Sequence, residues 1–96
     1  MNVRTNIGYI ITDSIHVGEA EFVLGVHQTI PDKFVTWRCK DRTDYMWGHY
    51  FSGDHLAAVK DLCQRAMEHV QFLESLREDN TRSGQVRQKK NRDYER

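Results

Sequence analysis

Apolar residues recur at every second position in short segments of the first half of the chain. Phe22, Leu24 and Val26 share one face of such a segment, and Val35 and Trp37 share a face of the next. Alternation in runs rich in β-branched and aromatic residues is typical of β-strands. The predicted strands are residues 7–17 (with a bulge or break at positions 13–14), 21–27, 34–39 and 45–51.

The links between these segments are short. Gly18 and Glu19 suit a two-residue type II′ turn, because glycine accepts the positive φ at the first central position. Pro31 presets a second turn, and residues 40–44 form a charged hairpin loop. Short links between consecutive strands favour an antiparallel meander.

After Gly53 the apolar period changes from two to three and four, which predicts a helix over about residues 55–78. Ser52 or Asp54 can cap its first turn. This apolar stripe has to be buried, and the sheet is the only large surface available. We therefore expect an α+β fold in which a four-stranded antiparallel meander packs on one C-terminal amphipathic helix, a two-layer ββββα arrangement. The predicted stripe is Leu56, Val59, Cys63, Ala66, Met67, Val70 and Leu73.

Ninety-six residues make one domain, which we place at residues 1–79, followed by a charged tail at 80–96. Residues 1–76 carry seven Lys/Arg and ten Asp/Glu, a net charge of −3, whereas residues 77–96 carry seven and four, a net charge of +3. The tail has too few apolar residues to fold alone, so we expect it to be disordered or held as a helix by a partner. Its basic cluster consists of Arg87, Lys89, Lys90, Arg92 and Arg96.

The apolar runs are too short for a membrane span, which needs about 18 residues, and none has the length and place of a signal peptide. This pattern favours the cytoplasm. Cys39 and Cys63 lie 24 residues apart without CxxC spacing, so we expect buried free thiols, with a disulfide as the alternative.

A search for catalytic signatures indicates a protein that is not an enzyme. Only Cys39 and His49, at odd positions of neighbouring strands, could share a face as nucleophile and base. The five histidines have neither HxxxH nor HxH spacing, so no metal site is expected. A single glycine, Gly53, precedes the helix beside the acidic Asp54, which disfavours a phosphate-binding loop. We expect no cofactor.

Aromatic residues are concentrated on the last two strands. Because one helix covers one sheet face, and the two tryptophans are expected on the same face, either arrangement leaves an apolar patch uncovered. Such patches mark protein interfaces, and aromatic side chains are favoured anchors there. The predicted partner-binding residues are Trp37, Arg42, Asp44, Tyr45, Trp47 and Tyr50.

Residues 34–37 and 45–51 resemble short uncharacterised proteins of Gram-positive bacteria and their mobile elements, with the resemblance spanning roughly residues 7–70. It implies a small accessory protein that binds and blocks a host defence nuclease, of the anti-CRISPR or antirestriction type. The first hypothesis is therefore a non-catalytic protein-binding module, with a nucleic-acid-processing enzyme as one candidate partner. The alternative is a small nucleic-acid-binding accessory or regulatory protein that uses its basic tail, and a homo-oligomer is a further alternative.

Overall fold

The computed structural model describes residues 3–81, with side chains described for residues 3–77. Within these residues, five antiparallel strands follow one another in the order β1-β2-β3-β4-β5, and a single helix packs against the curled, half-barrel sheet. The small α+β class and the antiparallel meander are confirmed, with one strand more than expected. The elements are β1 (Thr5–Asn6), β2 (Tyr9–Val17), β3 (Ala20–His27), β4 (Lys33–Lys40), β5 (Asp44–Ser52) and α1 (His55–Thr81).

The fifth strand arises because the first predicted strand begins with a turn. Ile7 and Gly8 have φ values of 40° and 90°. Two consecutive positive φ values form a tight hairpin turn, and Asn6 therefore pairs with Tyr9. The predicted turn between β2 and β3 is confirmed, since Gly18 has φ 58°.

The core lies between α1 and one face of the sheet. Its sheet side is built on Phe22, Leu24 and Phe34, and small residues let the helix approach closely. The predicted stripe was partly wrong, since Leu56, Cys63, Met67 and Leu73 are exposed. Compared with the prediction, the helix is rotated about its own axis. The face that packs on the sheet is the one with the smallest side chains, and it consists of Ala58, Leu62 and Ala66.

The opposite face of the sheet holds a second apolar cluster. Tyr9, Val23, Val35, Trp37 and Cys39 are all buried there, although no helix within residues 3–81 covers them. The curl of the sheet and the rings along its concave side enclose this cluster. The buried free thiol predicted for Cys39 is confirmed, whereas Cys63 is a free but exposed thiol.

A β-bulge in β5 changes the expected facing of the aromatic residues. Thr36 pairs with His49 and Arg38 pairs with Met46, so two residues of β5 oppose one residue of β4. From Trp47 onwards, each side chain of β5 therefore lies on the sheet face opposite to the one that strict alternation predicts. The prediction that Trp37 and Trp47 share a face was wrong, because Trp37 joins the second cluster while Trp47 lies on the helix side.

Helix α1 begins with a side-chain cap, since Oδ1 of Asp54 accepts a hydrogen bond from the backbone N–H of Ala57 at 3.0 Å. The helix continues to Thr81, past the predicted domain end at residue 79. Within residues 3–81, no helix combines the length and the apolar character that crossing a membrane requires. The predicted basic tail cluster falls outside the described residues.

Candidate protein interface

The four aromatic residues predicted to bind a partner do not form one surface. Trp37 is only 3% exposed. Tyr45 is half-buried against it, with ring centroids 5.3 Å apart. Tyr50, which is 57% exposed, also borders this cluster, whereas Trp47, which is 64% exposed, lies on the other side of the sheet. Trp37 is therefore part of the core, and Tyr50 and Trp47 are accessible from opposite directions.

The two charged residues of the prediction lie at the hairpin between β4 and β5. Arg42 and Asp44 are both exposed. The backbone carbonyl of Arg42 accepts hydrogen bonds from Nη2 of Arg4 at 3.2 Å and from the hydroxyl of Tyr45 at 3.3 Å. These bonds hold the loop against the concave side of the sheet.

Trp47 is presented to solvent by a strained backbone. Its φ is 55°, which is rare for a bulky residue and typical of a β-bulge that redirects a side chain. The guanidinium carbon of Arg38 lies 5.6 Å from the centre of a Trp47 ring, which is a cation–π contact. An exposed tryptophan held by local strain and an arginine is a candidate binding residue.

Trp47 borders a groove between the sheet and α1, with a cavity volume of about 340 Å³. We call this the Trp47 groove. Its walls combine three aromatic residues, two arginines, two histidines and one glutamate. The lining residues are Phe22, Arg38, Trp47, His49, Arg65, Glu68, His69 and Phe72.

A hydrogen-bonded network fixes the polar end of this groove. The hydroxyl of Thr36, which is fully buried, donates to Oδ2 of Asp61 at 2.5 Å. Nδ1 of His49 lies 3.0 Å from the same oxygen. Nη1 of Arg65 donates to the carbonyl and hydroxyl oxygens of Thr36, both at 3.1 Å. Burial lowers the pKa of Arg65, but an arginine still remains charged at neutral pH.

Beyond the groove, the apolar face of α1 extends past the sheet. Phe72, Leu73 and Leu76 are exposed. The ring of Phe72 stacks on His69, with centroids 5.8 Å apart. A second cavity of about 810 Å³ adjoins the Trp47 groove and shares Arg38 and His69 with it. The result is a continuous surface of mixed apolar and charged character at one end of the molecule.

On the concave side, Arg4, Ser14 and Glu21 form a hydrogen-bonded network, in which Nε of Arg4 is buried without a hydrogen-bond partner among the described residues. Nη1 of Arg4 donates to Glu21 at 2.7 Å, and the hydroxyl of Ser14 donates to the same carboxylate at 2.6 Å. The Arg4 hydrogen bond holds the pKa of Glu21 at about 2. Burial and the nearby Glu21 raise the pKa of the Cys39 thiol, which leaves it protonated at neutral pH.

Cys39 and His49, which could have shared a face by strict alternation, lie on opposite faces of the sheet. The bulge places His49 on the helix side with Asp61, while Cys39 belongs to the concave cluster. Among the described side chains, no group of three or more His, Cys, Asp or Glu residues could hold a metal ion.

Compared with known proteins, the chain matches no family model, no curated protein and no solved structure. The candidate interface therefore depends on the geometry of the chain's own residues.

Seven of the eight residues that line the Trp47 groove were not among the predicted contacts, and Arg38, Arg65 and Phe72 are three of them. Arg65 lies outside the predicted apolar stripe of the helix, yet its guanidinium bonds to Thr36 on β4. The sequence contained one signal for this contact. Thr36 lies among apolar residues at a strand position that faces the helix, and a buried threonine hydroxyl there needs a hydrogen-bond partner. Phe72 gave no comparable signal.

Proposed function

We propose that the chain is a non-catalytic protein-binding module whose contact surface is the Trp47 groove together with the exposed end of α1. One observation carries this proposal: Trp47 is 64% exposed on a strained bulge and lies against the guanidinium of Arg38. Tryptophan and arginine are the residue types most enriched among interface residues that dominate binding energy.

The surroundings of Trp47 fit the anatomy of an interface. Phe72 and Leu73 extend the apolar surface along α1, and Arg65 and Glu68 supply charges at its margin. A stable contact buries about 800 Å² on each partner, with an apolar centre and a polar rim. The Trp47 groove provides the polar part, and Trp47 with the exposed Phe72, Leu73 and Leu76 of α1 provides the apolar part.

The test compares two exposed aromatic residues on opposite sides of the sheet. The tagged chain is used to capture proteins from a lysate of cells that naturally contain it. We expect Trp47→Ala to abolish recovery of a stoichiometric partner and Tyr50→Ala to leave it unchanged, because only Trp47 borders the groove. Both variants should keep the wild-type circular dichroism spectrum and melting temperature within a few degrees.

Recovery of no stoichiometric protein by the wild-type chain would contradict the proposal. Equal recovery by the wild type and Trp47→Ala would place the contact elsewhere. Loss of recovery only with Tyr50→Ala would move it to the concave side of the sheet.

A narrower form of this proposal is the inhibition of a host defence nuclease, which the sequence resemblance implies. The cations of the groove, Arg38 and Arg65, suit an acidic patch on such an enzyme. The wild-type chain should then inhibit DNA cleavage by the captured enzyme at equimolar ratio, and Trp47→Ala should not. Cleavage that continues in the presence of a saturating amount of bound chain would refute this form and leave the binding proposal intact.

A second candidate function, nucleic-acid binding, is favoured by Arg38 and Trp47 lying together beside Phe72. Aromatic rings and arginines side by side bind single strands by stacking and by charge. A labelled single-stranded oligonucleotide should then bind more weakly as salt rises, quench Trp47 fluorescence, and lose affinity when residues 82–96 are deleted. A blank titration at low salt would end this candidate.

A further inference from the structure

Strand β5 lies at one edge of the sheet, and its outer backbone groups have no partner among the described residues. The strand order ends at β5, and β4 is its only strand neighbour within residues 3–81. On the side away from β4, no hydrogen bond joins a backbone group of residues 45–52 to another described residue. Such an edge presents a row of donors and acceptors that matches an extended chain.

The hydrogen bonds at the end of β5 show which of its residues direct these groups outward. The N–H of Gly53 donates to the carbonyl of Asp32 at 2.7 Å, so this pair is hydrogen-bonded. Hydrogen-bonded and non-hydrogen-bonded pairs alternate along an antiparallel ladder. Counting back from Gly53, the backbone groups of Phe51 bond to β4, whereas those of Tyr50 and Ser52 point away from the sheet.

The composition of β5 does not protect this edge against pairing. Residues 45–52 contain no lysine, arginine, aspartate, glutamate or proline, although edge strands that avoid pairing typically carry such residues. Trp47 and Tyr50 are 64% and 57% exposed, one on each side of the sheet. The opposite edge, residues 12–17 of β2, contains Asp13 and has no large exposed apolar side chain. Of the two edges, β5 is therefore the one suited to binding another strand.

A second copy of β5 fits this edge poorly. If two copies paired antiparallel around Tyr50, residue 53 of one copy would face residue 47 of the other. Gly53, with φ 80°, already leaves the strand towards α1, and Trp47, with φ 55°, lies in the β-bulge. Each copy would thus contribute residues 48–52 alone, and a bulge hinders edge-to-edge pairing of identical strands. A strand from a different protein has to follow the bulge on one side only.

We infer that the partner of this chain contributes an extended segment, which adds to β5 as a sixth strand. This inference rests on the proposed protein-binding function and names the form in which the partner binds. The added strand bonds to the outward groups of Tyr50 and Ser52. Its side chains alternate between the two faces, so that one set lies beside Trp47 and the other beside the Tyr50 ring. The uncharged edge suits a segment rich in β-branched and aromatic residues.

The first test selects a binding peptide from a phage-displayed library of random peptides of about ten residues, a length typical of strands. The selected peptide is synthesised, and its affinity is measured by fluorescence anisotropy. It should bind the wild-type chain and Tyr50→Ala equally well, and Tyr50→Pro at least roughly tenfold more weakly. Alanine keeps the outward N–H, whereas proline removes it and places its ring where the added strand lies. Proline at an outward N–H of an edge strand is compatible with the fold.

The second test uses only the wild-type chain, so it does not depend on the folding of a variant. Amide hydrogen exchange, measured by NMR, should be faster at Tyr50 and Ser52 than at Phe51 in the free chain, because only the Phe51 N–H bonds to β4. A saturating amount of the selected peptide should slow exchange at Tyr50 and Ser52 by at least roughly tenfold. The same peptide with N-methyl groups on alternate backbone amides should lose this effect in one of the two alternations.

The inference would be overturned by a library that yields no binding peptide, by equal affinity for Tyr50→Ala and a folded Tyr50→Pro, or by unchanged exchange at Tyr50 and Ser52. A wild-type dimer in light scattering that Tyr50→Pro converts to monomers would also overturn it, because a second copy would then occupy the edge. The proposed function fails separately. If Trp47→Ala abolishes capture of the partner while Tyr50→Pro retains it, the chain is still a binding module and the partner adds no strand to β5.

Discussion

Replacing Glu21 by glutamine should destabilise the fold in a way that depends on pH. Glu21 lies on the concave side of the sheet, and its side chain is 5% exposed. Two nitrogens of Arg4 donate to its carboxylate at 2.7 and 3.2 Å, and Ser14 donates at 2.6 Å. The pair connects the segment before β1 to the sheet, so its loss should release the N-terminal part of the chain.

The magnitude follows from the pKa of Glu21. In the folded chain it is about 2, compared with an ordinary value of 4.5, mainly because Arg4 donates to the charged form. A difference of that size corresponds to roughly 3 kcal/mol of unfolding free energy. Because the folded-state pKa is the lower one, this contribution is fully present above pH 4.5 and is lost as the pH falls through about 2.

Urea unfolding at about pH 6 and about pH 2 measures this contribution. At the higher pH, Glu21→Gln should unfold about 3 kcal/mol more easily than the wild type, with a similar dependence on urea. At the lower pH the difference should shrink towards zero, because the wild-type carboxyl is then becoming protonated. Glu19→Gln, an exposed neighbour in the β2–β3 turn, is the control and should change stability by less than about 0.5 kcal/mol at either pH.

A stability difference between Glu21→Gln and the wild type that is the same at both pH values would refute this reasoning. The carboxylate charge would then contribute nothing, and the effect would come from packing alone.

Three further substitutions test the fold. Gly48→Ala should lower the free energy of unfolding by about 1–3 kcal/mol, because a Cβ there would lie 2.7 Å from Nε1 of Trp37. An unchanged urea midpoint would contradict this prediction and show that the bulge can adjust to the added methyl group. Asp54→Ala should cost about 1 kcal/mol through loss of the bond to the Ala57 N–H, measured as a lower melting temperature, with Asp54→Asn as the tolerated control. Leu62→Ala should cost about 2–5 kcal/mol in urea unfolding, and a cost below 1 would contradict its place at the centre of the helix–sheet core.

The sequence was sufficient to predict most of the architecture. Alternating apolar residues indicated the strands from β2 to β5, and the glycine at position 18 indicated the turn between β2 and β3. These signals are local, since they depend on neighbouring residues and on backbone conformation. The start of α1 was equally local, because the cap at Asp54 precedes the change of period.

The rotation of α1 and the facing of β5 could not be predicted from local patterns. The helix turns its small residues Ala58 and Ala66 to the sheet, because the large sheet residues Phe22 and Phe34 fill the space between the layers. A period of three and four alone does not decide between adjacent stripes of a helix. The strain at Trp47 likewise depends on pairing with β4, which no property of the β5 sequence alone reveals.

The rotation of α1 and the changed facing of β5 together place the candidate interface at a different surface from the predicted one. The expected uncovered patch was a whole sheet face, but the sheet curls around Trp37 and closes that face with its own rings and the Arg4–Glu21 pair. One extra residue in β5 then sends the second tryptophan, Trp47, to the helix side. There the helix extends past the sheet, so the surplus apolar surface lies at one end of α1. An interface at that end requires Trp47 and Leu76 to act together, whereas an interface on the concave side would require Tyr50.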